Sequence, residues 1–175
     1  QNNLINTQYS GTVRGIMMYY AYANISLIHN TIKVTTPSGA AGYPFQLYYP
    51  STSASVTVLN NNFERDGAGA VVDYNAQASY LTKCDGNNYY NSTSTNPTII
   101  YAGTTYNDLA TYKSAASANG HGKNDISQQN NFSGLDLHYD QNKPNPSSPY
   151  AGIDKDIDGD SRCKIYPSTG ADESN

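Results

Sequence analysis

The stretch Asn24-Ile25-Ser26-Leu27-Ile28-His29-Asn30-Thr31-Ile32 recurs as Ser55-Val56-Thr57-Val58-Leu59-Asn60-Asn61-Asn62-Phe63 and, more weakly, as Leu81-Thr82-Lys83-Cys84-Asp85-Gly86-Asn87-Asn88-Tyr89. Superposing the three copies gives two apolar columns: Leu27, Val58 and Cys84, then Ile32, Phe63 and Tyr89. Between them lies a column of identical residues, Asn30, Asn61 and Asn87. Counting back 28 residues from Asn30 gives Asn2, and the later intervals are 31 and 26 residues. A repeat of this length predicts stacked coils.

A second apolar run follows each asparagine, at residues 15–20, 42–49 and 69–74. Each coil therefore holds two or three short strands between turn-forming residues, with no helical periodicity that would indicate a doubly wound α/β fold. Stacked asparagines can hydrogen-bond in a ladder at the spacing of β-strands. The pattern predicts an all-β chain that forms a right-handed parallel β-helix, since parallel crossovers are nearly always right-handed.

The pattern changes after Tyr89. Residues 96–101 still read as a strand, whereas 106–116 have helical spacing with Asn107 as the capping residue. Residues 142–149 contain too many prolines for a strand and are predicted to form an extended loop. Because the last coil of a solenoid must be covered, we expect coils over 1–102 and, in the same domain, a C-terminal cap of a short helix and loops over 103–175.

The tail carries five motifs in an order that resembles one protein family. They are Tyr106-Asn107-Asp108-Leu109-Ala110, Asp136-Leu137-His138-Tyr139, Ser148-Pro149-Tyr150-Ala151-Gly152, Asp156-Ile157-Asp158-Gly159-Asp160-Ser161-Arg162 and Gly170-Ala171-Asp172-Glu173. The tail resembles the C-terminal end of secreted bacterial right-handed parallel β-helix proteins of the pectate-lyase-like superfold, in their surface-protein branch. The resemblance implies an extracellular or cell-surface location, but no particular activity, because this fold hosts enzymes, adhesins and structural coils.

Composition narrows the set of partners. The chain has 175 residues, a formal net charge of −4 and no basic stripe, which argues against nucleic acid. No apolar run is long enough to span a membrane. Because the first residues lie inside a repeat, we expect further N-terminal coils in a longer chain.

The two cysteines allow two interpretations. Cys84 falls in an inward apolar column, where a buried thiol acts as a small apolar residue. Alternatively, a disulfide to Cys163 could tie the tail to the last coil.

The acidic string of the tail suggests a metal site. Asp154, Asp156, Asp158 and Asp160 alternate along the chain, with Gly159 between the last two, as in the first half of a calcium loop. The twelfth position is Ile165, which cannot supply the carboxylate of a complete loop. The string therefore predicts structural calcium, or a turn in which aspartates cap backbone amides and Arg162 pairs with Asp158 or Glu173.

Catalytic signals are weak. Charges are scattered over the coils, and the run Glu64-Arg65-Asp66 is more typical of a solvated turn than of a site. The three histidines, His29, His121 and His138, lack the spacing of metal ligands or of a catalytic triad.

The tyrosines are the residues that indicate carbohydrate binding. Tyr20, Tyr48 and Tyr74 lie near equivalent places on successive coils and, if they point outward, form an aromatic stripe suited to sugar rings. In the alternative interpretation, strand alternation turns some of them into the core. The sequence thus predicts a non-catalytic adhesive or carbohydrate-binding scaffold for a polysaccharide or cell-surface glycan. One alternative is the C-terminal part of a polysaccharide lyase or glycoside hydrolase with catalytic coils upstream, and another is a passive spacer that provides reach and stiffness.

Overall fold

The computed structural model describes residues 1–20, 23–37, 40–48, 54–75, 78–94, 96–130, 132, 137–138, 149–165 and 167–172. Over these ranges the chain is mostly β and forms a parallel β-solenoid of about three turns with one short helix near its C-terminal side. The predicted solenoid is therefore confirmed.

The strands are short and follow one another along the chain. They are β1 (Leu4–Gln8), β2 (Val13–Tyr19), β3 (Asn24–Ile28), β4 (Thr31–Thr35), β5 (Gly42–Tyr48), β6 (Ser55–Leu59), β7 (Asn62–Asp66), β8 (Val72–Asp73), β9 (Leu81–Asp85), β10 (Asn88–Asn91), β11 (Ile99–Tyr101) and β12 (Thr104–Tyr106). Sheet A has the order β1-β4-β7-β10, sheet B the order β12-β11-β8-β5-β2, and sheet C the order β3-β6-β9. Every third strand is therefore a neighbour, which is the connectivity of a coil with three faces.

The strand registers match the sequence columns. In sheet C, Leu27 lies beside Val58 and Val58 beside Cys84. In sheet A, Phe63 lies between Ile32 and Tyr89. All of these side chains are buried in one continuous core. The repeat in the sequence thus marks the inward positions of two sheets.

The turn from sheet C to sheet A has a left-handed residue in every coil. Its φ is 53° at Asn2, 52° at His29, 56° at Asn60 and 67° at Gly86. Asparagine and glycine tolerate this conformation better than most residues. At Gly86 a Cβ atom would also collide with Oδ1 of Asn60. Glycine at this position therefore avoids a clash that a larger residue would make with the Asn60 side chain.

The next residue of each turn forms the predicted asparagine ladder. Asn30 Nδ2 donates to Asn61 Oδ1 at 2.8 Å, and Asn61 Nδ2 donates to Asn87 Oδ1 at 3.0 Å. The first member is Asn3, whose Nδ2 lies 2.8 Å from Asn30 Oδ1. The count of 28 residues back to Asn2 is wrong by one residue, because Asn2 occupies the left-handed position before the ladder.

The C-terminal end of the core is covered by β12 and α1 (Leu109–Ala116). The antiparallel strand β12 pairs with β11, and α1 buries Tyr112 and Ala116. The predicted short helix is present, but its N-cap is Asp108 and not Asn107: the Asp108 side chain accepts a hydrogen bond from the Thr111 amide. The cover continues to Ile126, which bridges to Asn88.

The described residues of the tail, 149–165 and 167–172, lie along the side of the solenoid. The Gly170 amide donates to the Asn60 carbonyl, and the Ala171 amide donates to Oγ1 of Thr31. Asn2 Nδ2 donates to the Lys155 carbonyl at 2.8 Å. These described residues therefore run along the turns between sheets C and A, as far as the first coil. The boundary expected at 102/103 stays a prediction, and the proline-rich loop of 142–149 falls outside the described residues except for Pro149.

The cysteines are not bonded to each other, because Cys84 lies in the core and Cys163 is exposed. Within the described ranges, no helix has both the length and the hydropathy that crossing a bilayer requires.

Candidate functional site

The outer face of sheet B carries an aromatic cluster, which we call the aromatic patch and define as Met17, Tyr19, Tyr20 and Tyr48. Ile16 packs on the core, so strand alternation points Met17 and Tyr19 outward. The rings of Tyr19 and Tyr48 stack with centroids 5.4 Å apart and an interplanar angle of 12°. Tyr20 meets Tyr19 edge-on at 4.5 Å.

The patch is accessible. Tyr19 is 52% exposed, Tyr20 is 50% exposed and Met17 is 39% exposed. Tyr20 also has a φ of 51°, which is uncommon for a bulky residue and costs about 1 kcal/mol or more. A tyrosine held in this conformation at the surface is a candidate for a functional role.

The predicted stripe of Tyr20, Tyr48 and Tyr74 does not form as expected. Tyr48 lies beside Tyr19 in the sheet register, and Tyr20 follows the end of β2. Tyr74 is fully buried, where its hydroxyl lies 2.8 Å from that of Tyr89. Tyr74 therefore follows the second of the two interpretations and lies in the core, because its position after Asp73 has the inward parity. Tyr19 was missed, although its neighbour in the register is Tyr48.

A polar row runs beside the patch across three strands. Arg14 Nε donates to Gln46 Oε1, and Gln46 Nε2 donates to Asp73 Oδ2 at 2.9 Å. Asp73 Oδ1 accepts from the Asn75 amide at 2.7 Å. This row fixes the side chains on strands β2, β5 and β8 and places one positive and one negative charge on the face.

Three carboxylates meet in the tail. Ligand oxygens of Asp156, Asp158 and Asp172 lie within 4.8 Å of one another, an arrangement that could hold a metal ion. Of the predicted calcium ligands, Asp154 and Asp160 are not in this acidic triad, whereas Asp172 was not predicted. Asp172 reaches the others because the Ile157 amide donates to the Ala171 carbonyl.

The predicted aspartate turn is also present. Asp156 Oδ1 accepts from the amides of Asp158 at 3.0 Å and Asp160 at 2.8 Å. Arg162 donates to backbone carbonyls, including that of Ala171 at 2.7 Å, and to Asn2 Oδ1 at 3.2 Å. Glu173, its other predicted partner, lies outside the described residues. Arg162 thus joins the tail to the first coil.

A polar cluster lies buried under the helix. Cys84 Sγ is 3.8 Å from the hydroxyls of both Tyr89 and Tyr112. Burial raises the pKa of Cys84 to about 12 and raises the pKa values of the surrounding tyrosines. A thiol that stays protonated is a poor nucleophile. Cys84 therefore acts as a core residue, in agreement with the first of the two interpretations.

The charged run of strand β7 is not a solvated turn. Glu64 and Arg65 are buried, and Glu64 forms an ion pair with Lys33 at 2.7 Å and accepts from Asn130 at 2.9 Å. Arg65 fills the corner between sheets A and B, where it donates to carbonyls such as that of Ala40. Each of these charges has a structural partner.

The histidines lie apart in the fold. His29 is buried in the turn column beside Asn60, and His121 is buried against the Tyr101 hydroxyl at 2.9 Å. His138 lies at the surface, with Nε2 3.2 Å from Asp158 Oδ2. His138 therefore borders the acidic triad, a contact that the linear spacing did not indicate.

None of the protein-family models, curated proteins and solved structures that were compared with the chain matches it. The parallel solenoid is thus shown by the strand pairing itself, and membership of the surface-protein branch remains a prediction.

Proposed function

We propose that this solenoid is a non-catalytic, extracellular or cell-surface scaffold that binds carbohydrate through the aromatic patch. The observation that carries this proposal is the stacked pair of Tyr19 and Tyr48 on the outer face of sheet B. Two flat rings on adjacent strands offer an apolar platform to a sugar face, and their hydroxyls can hydrogen-bond at its rim.

The polar row supports a neutral glycan as the first choice. Arg14 and Asp73 bring opposite charges to the same face and are linked through Gln46. The chain as a whole has a net charge of −4, so a polyanionic polysaccharide would meet repulsion over most of the surface.

The test uses the full chain and a panel of neutral and acidic polysaccharides, followed by affinity electrophoresis for retention and by size exclusion for polymer length. Tyr19→Ala should weaken retention about fivefold, because an aromatic contact contributes about 1 kcal/mol beyond its buried area. Tyr20→Asn, which suits the left-handed backbone, should also weaken it. Tyr9→Ala is the matched control, since Tyr9 is 61% exposed but outside the patch.

Each outcome is informative. Retention that falls in the patch variants and not in Tyr9→Ala supports the proposal. Absence of retention across the panel, or equal retention by all variants, overturns it. Shortened polymer would favour the alternative, a lyase or hydrolase.

We also propose that the acidic triad binds calcium in a structural role. Carboxylate oxygens are the ligands that this hard cation prefers, and Asp156, Asp158 and Asp172 come from two separate segments of the tail. Calcium should therefore raise the melting temperature. Asp158→Asn should abolish the rise, whereas Asp160→Asn, outside the triad, should retain it. Equal shifts in both variants would contradict the site.

A further inference from the structure

The asparagine ladder has a direction. In each coil, one side-chain oxygen accepts two hydrogen bonds from the asparagine of the preceding coil. Asn61 Oδ1 accepts from Asn30 N at 3.0 Å and from Asn30 Nδ2 at 2.8 Å. Asn87 Oδ1 accepts from Asn61 N and Nδ2, both at 3.0 Å. Donors thus point toward the C-terminal end and acceptors toward the N-terminal end.

The C-terminal end of the ladder is closed. Asp125 Oδ1 accepts from Asn87 N at 2.7 Å and from Asn87 Nδ2 at 3.5 Å, in the place of a further asparagine. A carboxylate has no N–H group with which to continue the ladder. Helix α1 covers this end, where Tyr112 donates to Asp125 Oδ2 at 3.3 Å.

The first coil presents the opposite chemistry. Asn3 Nδ2 donates to Gln1 O at 3.2 Å and to Asn30 Oδ1 at 2.8 Å, so Asn3 Oδ1 faces away from the solenoid. Among the described residues, no donor reaches that oxygen. Over the described ranges, β1, β2 and β3 are the edge strands of their sheets, so their outer edges are not paired with another of the described strands.

The apolar columns of the core are also incompletely covered at the first coil. Ile5, Ile16 and Met18 continue the columns of Ile32, Phe45 and Leu47, respectively. The latter three are fully buried, whereas the former are only partly buried. One more layer of side chains would complete their packing.

We propose that the first-coil face, defined as the outer edges of β1, β2 and β3 with Asn3 and Ile5, is a docking surface for one further parallel β-coil that carries an asparagine at its turn. The coil interface already present within the chain continues directly into this face. The occupant supplies an N–H and an Nδ2 donor to Asn3 Oδ1, as Asn30 supplies them to Asn61.

A second copy of the chain does not fit this face. In a head-to-head dimer, Asn3 Oδ1 of one copy would face Asn3 Oδ1 of the other copy, so that two hydrogen-bond acceptors would oppose each other. Head to tail, it would present the closed end formed by Asp125 and α1. The partner is therefore a parallel β-coil with an open donor end, formed by a turn asparagine with its N–H and Nδ2 groups unpaired.

The test extends the full chain by a copy of residues 29–59 placed directly before Asn2, which puts the copied Asn30 above Asn3. We expect a larger urea m-value and a higher melting temperature, because the added coil buries surface that unfolding exposes. Amides of β1 should exchange at least about tenfold more slowly. The matched control carries alanine in place of the copied Asn30 and should lose part of the gain.

A shorter extension guards against misfolding of the added coil. A copy of residues 54–59 before Asn2 should add one strand beside β3 and slow the exchange of β3 amides. If neither extension protects β1 or β3 and the m-value is unchanged, the face is not a docking surface. If the unextended chain forms dimers through this face in sedimentation, the choice of occupant is wrong.

Discussion

Asn87 donates its backbone N–H to Oδ1 of Asp125 at 2.7 Å, so the asparagine ladder ends on a buried carboxylate. The contact joins the last turn of the solenoid to the segment that covers its C-terminal end, and the Asp125 side chain in it is titratable. The cost of burying the charge is offset in part by the Asn87 and Tyr112 donors. Stability should therefore depend on the ionisation of this one residue.

Asp125→Asn should remove one pH-dependent loss of stability. Burial raises the pKa of Asp125 from its ordinary value of 3.8 to about 7, against the Asn87 and Tyr112 hydrogen bonds. The folded state holds a proton that the unfolded state lacks between these values, so this contribution falls as the pH rises from about 4 to 7. Asparagine still accepts from Asn87 and can donate to the Tyr112 oxygen.

The measurement is urea unfolding of both proteins at pH 5 and pH 8. From pH 5 to pH 8, the free energy of unfolding of Asp125→Asn should increase by a few kcal/mol relative to that of the parent. A difference of one pKa unit corresponds to about 1.36 kcal/mol. A difference in free energy of unfolding that is the same at both pH values would contradict the assignment.

His29→Asn should reduce the loss of folding stability that the parent shows at acidic pH. Burial, and then the charge of Arg162, lower the pKa of His29 from 6.5 to about 3. The unfolded state therefore binds a proton that the folded state does not, and stability falls as the pH drops from 6.5 toward 3. Asparagine occupies the same left-handed position at Asn2 and Asn60, which makes it the matched replacement.

The acid effect should be local. The tail passes over this turn, since the Gly170 amide bonds to the Asn60 carbonyl. In hydrogen exchange at pH 4.5, the parent should lose protection at 153–171 before the turns of the ladder do, and His29→Asn should lose less. Equal tail protection in both proteins would show that His29 does not control docking of the tail.

Asn61→Ala should destabilise the solenoid by about 3 kcal/mol, because the Asn30 amide and one Nδ2 hydrogen of Asn30 lose their buried acceptor and the Leu27 carbonyl loses one of its donors. Chemical denaturation provides the measurement. Asn96→Ala, at an exposed position, is the control and should stay within about 0.5 kcal/mol of the parent. If Asn61→Ala destabilises the protein no more than Asn96→Ala does, the ladder makes no net contribution to stability.

The repeat predicted the core because one residue type had to recur. Asn30, Asn61 and Asn87 share one hydrogen-bonding task, and a fixed number of residues separates each of them from the apolar positions beside it. The second run in each coil has no such anchor. Turn lengths before it vary, and a slip of one residue exchanges the inner and outer faces. That exchange is the reason why the sequence left the direction of Tyr74 open and did not indicate Tyr19.

The acidic triad shows a second limit. Asp156 and Asp158 are close in sequence, but Asp172 joins them only through folding of the tail, which aligns Ile157 with Ala171. The alternating aspartates in the sequence indicated a carboxylate metal site, but they did not identify Asp172 as its third ligand. Local spacing cannot identify a residue that arrives from a separate segment.

Arg65 and Gly42 should behave as a coupled pair. The guanidinium of Arg65 donates to carbonyls around the corner, including that of Val34 in β4 at 3.4 Å and that of Ala40 at 3.2 Å. A Cβ on Gly42 would lie 2.7 Å from its Nη1 atom. Gly42→Ala should therefore cost about 1–3 kcal/mol in the parent, since the crowded guanidinium must shift away from its acceptors.

The same substitution should cost much less in an Arg65→Met background, where no guanidinium occupies the corner. Arg65→Met alone should destabilise by about 3 kcal/mol, because it leaves buried carbonyls without donors. Arg65→Lys should recover little of this, since one ammonium cannot span the same set of acceptors. Urea unfolding of the four proteins of the Gly42→Ala and Arg65→Met cycle gives the coupling. Additive costs would show that the glycine is needed for a reason other than the close approach of Arg65.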